Sequence, residues 1–179
     1  MKNDPKKWKT ISSRVVLDHK LLQVSEDLVE LPTGVETTYI KHSNASVDSV
    51  IIIACNNNKI LLQREYSYPP DQVMWQLPGG SMLINEKIET AANRELAEES
   101  GYHAQKLKNL GFFYVNNRLS DKKQHIVLGT DLIEYSLEAD NDEFITTHWY
   151  SVDAVKKMIG SGEIVNINLL AALNKWFNS

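Results

Sequence analysis

The chain has a single cysteine, Cys55, which excludes an intrachain disulfide framework and suits a reducing compartment. It has no basic excess: the net charge is −4, with both signs mixed along the chain, so nothing in it argues for a nucleic-acid partner. No apolar run reaches the length of a membrane span, and the opening residues 1–8 lack the apolar stretch of a signal peptide. The expectation is a soluble cytoplasmic protein with no membrane partner. Repeats and low-complexity tracts are absent. The histidines, at 19, 42, 103, 125 and 148, show no metal-ligand spacing, which argues against zinc, and no serine sits in a nucleophile elbow.

What the chain does have is enough apolar residue, 42% of 179 positions, to bury one sizeable core. The first 45 residues read as a hairpin-rich arm, with strands near 13–17, 21–31 and 35–41 and a turn at Pro32-Thr33-Gly34. Its apolar content is modest, so it needs another surface to bury it. Val50–Ala54 is a continuous apolar run of the kind covered on both faces, and 56–58 is an all-asparagine turn to a second strand, 59–66. Strands are expected at 107–115, 125–132 and 144–150, with a polar loop at 116–123 and an acidic loop at 135–143. Amphipathic helices follow at 152–159 and 168–177.

One stretch carries chemistry. Leu77-Pro78-Gly79-Gly80 is a tight turn that glycine makes accessible, and it leads into a helical pattern with Ile88, Ala91, Ala92 and Leu96 on one face. Glu95, Glu98 and Glu99 stand at i, i+3 and i+4, so three carboxylates project from one side. Like charges so placed repel by a few tenths of a kcal/mol, roughly, per pair, and something positive belongs among them. Hard oxygen ligands at this density suit Mg²⁺ or Mn²⁺, with a backbone carbonyl from the glycine turn as a further donor.

From Gly80 the spacing is five residues, Glu86, seven residues, then Arg94-Glu95-Leu96-Ala97-Glu98-Glu99-Ser100-Gly101. This resembles the Nudix box at every defined position but the last, where Tyr102 replaces an aliphatic residue and a mostly buried aromatic would serve. The flanks, Leu31-Pro32-Thr33-Gly34, Leu61–Tyr66, Trp75–Gly80, Tyr114–Asp131 and Gly162-Glu163-Ile164, look like the branch of ADP-ribose pyrophosphatases and nucleoside diphosphate sugar hydrolases. The resemblance implies an α+β protein: a Nudix fold over 46–179, an α/β/α sandwich with a mixed central sheet, plus an antiparallel β-arm over 1–45 that crosses between the subunits of a homodimer.

It also implies Mg²⁺-dependent hydrolysis of a nucleoside diphosphate linked to a sugar, ADP-ribose giving AMP and ribose 5-phosphate. NADH, diadenosine polyphosphates, GDP-mannose and other sugar nucleotides remain open as substrates. By resemblance Glu95, Glu98 and Glu99 are metal ligands with the Gly79 carbonyl, and Glu86 pairs with Arg94 to pin the loop to the helix. The general base comes from the acidic loop, Glu143 ahead of Asp140 and Asp142, with Glu95 as the alternative. Arg64 is expected on the phosphates, and Tyr39, Phe113 or Tyr114 against the base, although strand aromatics usually face a core. Trp75, Trp149 and Trp176 read as core. Two departures loosen the tie to ADP-ribose: Glu65-Tyr66-Ser67 lacks an arginine that relatives often carry, and Asn116-Asn117-Arg118 replaces a proline, with Arg118 able to restore positive charge. A regulator that kept the fold and lost the chemistry is disfavoured by the intact glutamate triad. An isomerase would need a catalytic cysteine, which Cys55, placed before a polar turn, does not supply.

Overall fold

The computed structural model describes residues 4–43, 47–138 and 144–179, and the chain divides into two compact units. One holds residues 1–46 with the loop 116–122; the other holds 47–115 and 123–179.

The first unit is a three-stranded antiparallel sheet in the order β1-β2-β3, formed by Lys9–His19, Leu22–Glu30 and Glu36–Ser43. The β2–β3 turn closes through the Leu31 and Gly34 amides, which donate to Val35 and Leu31 carbonyls at 2.9 Å, with Gly34 at a φ of 84° that glycine reaches without strain. Two register shifts bend β1. Asp27 is buried and ion-paired to Lys41 at 2.6 Å, and the hydrogen bond from Lys41 holds its carboxyl below the ordinary range. Ile11, Val15, Val16, Leu17 and Ile40 stay exposed, so the sheet leaves much apolar surface uncovered. The loop 116–122 joins this unit through the Leu119 carbonyl, which accepts from the His42 amide at 2.7 Å.

The second unit runs β4 (Ser49–Asn56), β5 (Lys59–Ser67), β6 (Gln72–Gln76), α1 (Ile88–Ser100), β7 (Tyr102–Tyr114), β8 (Lys123–Glu134), β9 (Thr146–Ser151), α2 (Val152–Gly160) and α3 (Ile167–Phe177). Its mixed sheet has the order β6-β5-β4-β8-β7, with β9 also on β5 and only β4–β8 parallel. The β4–β5 hairpin turns on Asn57 and Asn58, both at positive φ, a conformation asparagine tolerates.

Alternation along β4 builds both halves of the core. Val50, Ile52 and Ala54, with Leu61 of β5, meet Ala91, Ala92 and Leu96 of α1; Ile51, Ile53, Ile60 and Leu62 meet Val155, Met158, Leu169, Ala172 and Leu173 of α2 and α3. Fully buried aliphatics of this kind stabilise by about 1.5–3 kcal/mol each. Helix ends follow from local chemistry. Ser151 caps α2, Asn166 caps α3 through the amides of Asn168 and Leu169, and Gly101 ends α1 in the left-handed conformation. The result is the α/β/α sandwich with a mixed sheet and a separate antiparallel N-terminal sheet.

Several expected boundaries shift: β1 runs over Lys9–His19 rather than 13–17, and β8 over Lys123–Glu134 rather than 125–132. β7 starts at Tyr102, directly after Gly101 turns the chain, rather than at Leu107. β9 begins at Thr146, and Phe144 is exposed.

Candidate active site

The glycine turn is held against β4 as though it were a strand. Pro78 and Gly80 carbonyls accept from the Ile52 and Val50 amides at 2.8 and 2.9 Å, and Ser81 bridges Ser49. Gly79 has a φ of 150°, and a Cβ there would fall 2.3 Å from the Val50 carbonyl oxygen, so only glycine fits. At Gly80 the missing Cβ is space taken by Glu95: an added methyl would lie 2.6 Å from Glu95 Oε2.

Arg94 gathers the box. Its Nε and Nη2 donate to the two oxygens of Glu86, each at 3.0 Å; Nη1 donates to Glu95 at 2.9 Å and Glu98 at 3.0 Å; Nη2 also donates to the Ser81 carbonyl at 3.0 Å. Those bonds match the five N–H donors of a guanidinium. The hydrogen bond from Arg94 holds the Glu86 carboxyl below its ordinary range against the opposing effect of burial, and Glu86 in turn raises Arg94. Leu83 adds an amide bond to Glu86 at 2.8 Å. The positive group that the glutamate spacing calls for is therefore Arg94 in this arrangement.

Glu99 is held differently. Its Oε2 accepts from the Gly79 amide at 2.9 Å and from Gln63 Nε2 at 3.0 Å. Gln63, on β5 and 2% exposed, shares the α1 face of the sheet with Leu61. Its mark in the sequence is an amide interrupting an apolar run at the same strand parity as Leu61.

Among the described residues, no three His, Cys, Asp or Glu side chains are gathered to hold a metal ion. Of Glu95, Glu98 and Glu99, the first two are turned to Arg94 and the third to Gln63 and Gly79. The donor set nonetheless suits a hard divalent cation: three carboxylates on adjoining helix positions, one seated in the space Gly80 leaves. Glu98, whose side chain is 27% exposed, is the more open of the two carboxylates bonded to Nη1.

The remaining expected site residues fall in several places. Arg64 lies on the sheet face opposite Gln63, its guanidinium 5.1 Å over the Trp75 ring, and Trp75 Nε1 donates to Glu163 at 2.9 Å. Phe113 packs, partly buried, against the α2–α3 core. Tyr114 is exposed on the α1 face, edge-on to Phe112 at 5.6 Å. Beside them Lys123 Nζ sits 5.0 Å over Phe112, and His125 pairs with Asp48 at 2.9 Å. The Asp48 carbonyl accepts from Met82 at 3.0 Å, which ties this cluster to the box turn. Within the arm unit, Tyr39 donates its hydroxyl to the Arg118 carbonyl at 2.6 Å, and Trp8 stands edge-on to it. Glu143, Asp140 and Asp142 lie outside the described residues. Tyr102 is half-buried, packing edge-on against Trp149. Trp75 is buried and Trp149 and Trp176 partly so; burial pushes the Cys55 thiol up. Among the described residues, no helix is long and apolar enough to cross a membrane.

Comparison with known proteins places the chain. The family model described as NUDIX domain matches residues 45–172, and the one described as nucleoside diphosphate sugar hydrolase N-terminal domain matches 8–39. The chain is 27% identical to an ADP-ribose pyrophosphatase of Bacillus subtilis, over 92% of this chain and 90% of that one. It is 31% identical to a CMP-5'-(N-acetyl-N-hydroxy-3-aminopropyl)phosphonate hydrolase of Streptomyces rubellomurinus, over 93% and 82%. A crystal structure of an ADP compounds hydrolase superposes with a TM-score of 0.90 at 23% identity, over 98% of this chain and 95% of that one, and speaks for the fold.

Proposed function

This chain belongs to the Nudix family of hydrolases, and we propose that it splits the pyrophosphate bond of a nucleoside diphosphate linked to a sugar, with ADP-ribose, cleaved to AMP and ribose 5-phosphate, as its first substrate. The observation that carries this reading is the Arg94-centred junction of the glycine turn with the α1 carboxylates. Glu95, Glu98 and Glu99, with the Gly79 carbonyl, would hold Mg²⁺ or Mn²⁺ there. When bound, the cation supplies positive charge where charge develops on the phosphate oxygens.

The chain's own residues do the rest. Arg94 and Glu86 lock the turn to the helix, keeping the carboxylates at a fixed height. Gly80 leaves room for Glu95 to lie against the turn, and Gly79 orients Glu99. Water adds to one phosphorus, the bridging oxygen leaves with the other phosphate, and the water's proton passes to a carboxylate, which we assign to Glu143 of the acidic loop. The exposed Phe112–Tyr114 pair with Lys123 offers stacking and a cation beside the turn, suited to the nucleoside end.

The N-terminal match, and the apolar side chains left exposed on the arm, support a homodimer formed through the arm. Light scattering would overturn that by giving the mass of one chain at micromolar concentration.

The testing experiment is product analysis with Mg²⁺ across ADP-ribose, NADH, diadenosine triphosphate and ADP-, UDP-, GDP- and CMP-linked compounds. AMP plus ribose 5-phosphate at the highest kcat/KM of the panel is the expected result. The CMP-phosphonate relative favours a second reading, the same hydrolysis on another nucleotide, which a different best substrate would select. No turnover of any member would overturn both.

A further inference from the structure

Gln63 has no packing reason to be an amide. Leu61 and Leu62 precede it in the buried run of β5, and an apolar residue there would continue that run. Burying an amide costs free energy unless it is hydrogen-bonded, and this one spends its Nε2 on Glu99 Oε2 at 3.0 Å. The same oxygen takes the Gly79 amide at 2.9 Å. The two donors lie on connected segments: Gln63 pairs with Gln76 across β5 and β6, and Gly79 follows three residues later in the glycine turn. Two N–H groups on one carboxylate oxygen restrict the Glu99 side chain to a single orientation before any ligand arrives.

We infer that Gln63 is a positioning residue which, through its Nε2–H···Oε2 bond, holds the Glu99 carboxylate in the orientation that binds the divalent cation. The inference rests on the reading of Glu99 as a cation ligand. Partners that orient a ligand from behind typically contribute about 10–100-fold to metal affinity.

The test is Mn²⁺ titration of the substrate-free protein by electron paramagnetic resonance, with thermal melts alongside. Gln63→Met keeps length and volume and removes the donor; Gln63→Leu is a second variant should the first perturb packing. The expected result is Mn²⁺ affinity weakened about 10–100-fold with the cooperative melt retained. In a Glu99→Gln background, Gln63→Met should add less than about twofold, because the bonded partner is already changed. If Glu99→Gln weakens binding and Gln63→Met does not, or if the two effects simply multiply, the inference is overturned. It is equally overturned if both Gln63 variants lose the cooperative melt, which would make Gln63 a residue of the fold alone. If Glu99→Gln leaves Mn²⁺ affinity unchanged, the underlying assignment of Glu99 fails instead.

Discussion

Substituting Gly80 by alanine separates the chemistry of the box from its stability. A Cβ at this position would lie 2.6–2.7 Å from Glu95 Oε1, Oε2 and Cδ, short of an ordinary contact of 3.4 Å by about 0.8 Å. The obstacle is the end of a side chain rather than backbone, so the carboxylate can swing away. The expected loss is at most about 1–2 kcal/mol, made of a strained rotamer and a weakened bond from Arg94 Nη1, now 2.9 Å. A displacement approaching 1 Å in a ligating group, by contrast, costs about 100-fold in rate. Gly80→Ala should therefore lower kcat/KM for the best substrate by two orders of magnitude or so while the melting midpoint moves only a few degrees. Parallel kinetics and thermal melts check this. Undiminished kcat/KM would refute the claim that Glu95 works from the space Gly80 leaves. Gly79→Ala is the control: its Cβ meets the Val50 carbonyl at 2.3 Å, an immovable backbone wall, at a φ of 150°, so the fold itself should fail.

Glu98→Gln should cost about 10²–10³-fold in kcat, because a cation ligand is lost, but only about 0.3–0.5 kcal/mol in stability, since its i,i+4 pair with Arg94 is partly exposed; an unchanged kcat would remove Glu98 from the ligand set. Glu86→Gln breaks a nearly buried ion pair and should destabilise by about 3 kcal/mol at neutral pH. Because the folded Glu86 carboxyl sits below its ordinary value, that stabilisation is fully present above the unfolded pKa of about 4.3 and disappears as pH falls through the lower folded value. Denaturant curves of wild type and variant should thus draw together as pH falls below the unfolded value, and a gap that stays as wide in acid as at neutral pH would contradict the assignment. Glu143→Gln should lower kcat by about 10²–10⁴-fold with Mn²⁺ affinity intact; full activity would move the base elsewhere.

Local patterns were legible wherever a residue's neighbours in sequence decide its environment. The Val50–Ala54 run announced a strand covered on both faces, and Ile88, Ala91, Ala92 and Leu96 announced the buried side of α1. What neighbours in sequence do not decide is where elements end and which way a side chain faces. Arg64 and Gln63 are adjacent on β5, and strand alternation sends one to Trp75 and the other to Glu99. Which face carries α1 is not written in β5 itself. On β7, a register shift between Asn109 and Gly111 resets the alternation, so Phe112 and Tyr114 emerge on the α1 face while Phe113 enters the opposite core. Arg94 pairs with Glu86 as expected, and it also reaches Glu95 and Glu98, one and four positions further along the same helix.

By itself the sequence determined the family, the order of the elements, and the residue types of the box. Those rest on spacing along one helix and one turn, where geometry follows directly from residue number. Only the tertiary structure decided that Glu99 is held by a strand thirty-odd residues away and that Glu95 lies where a methyl group is missing. It also decided that Arg64 faces away from both. Each depends on register between strands and on packing distances of a few ångströms, which no run of neighbouring residues encodes.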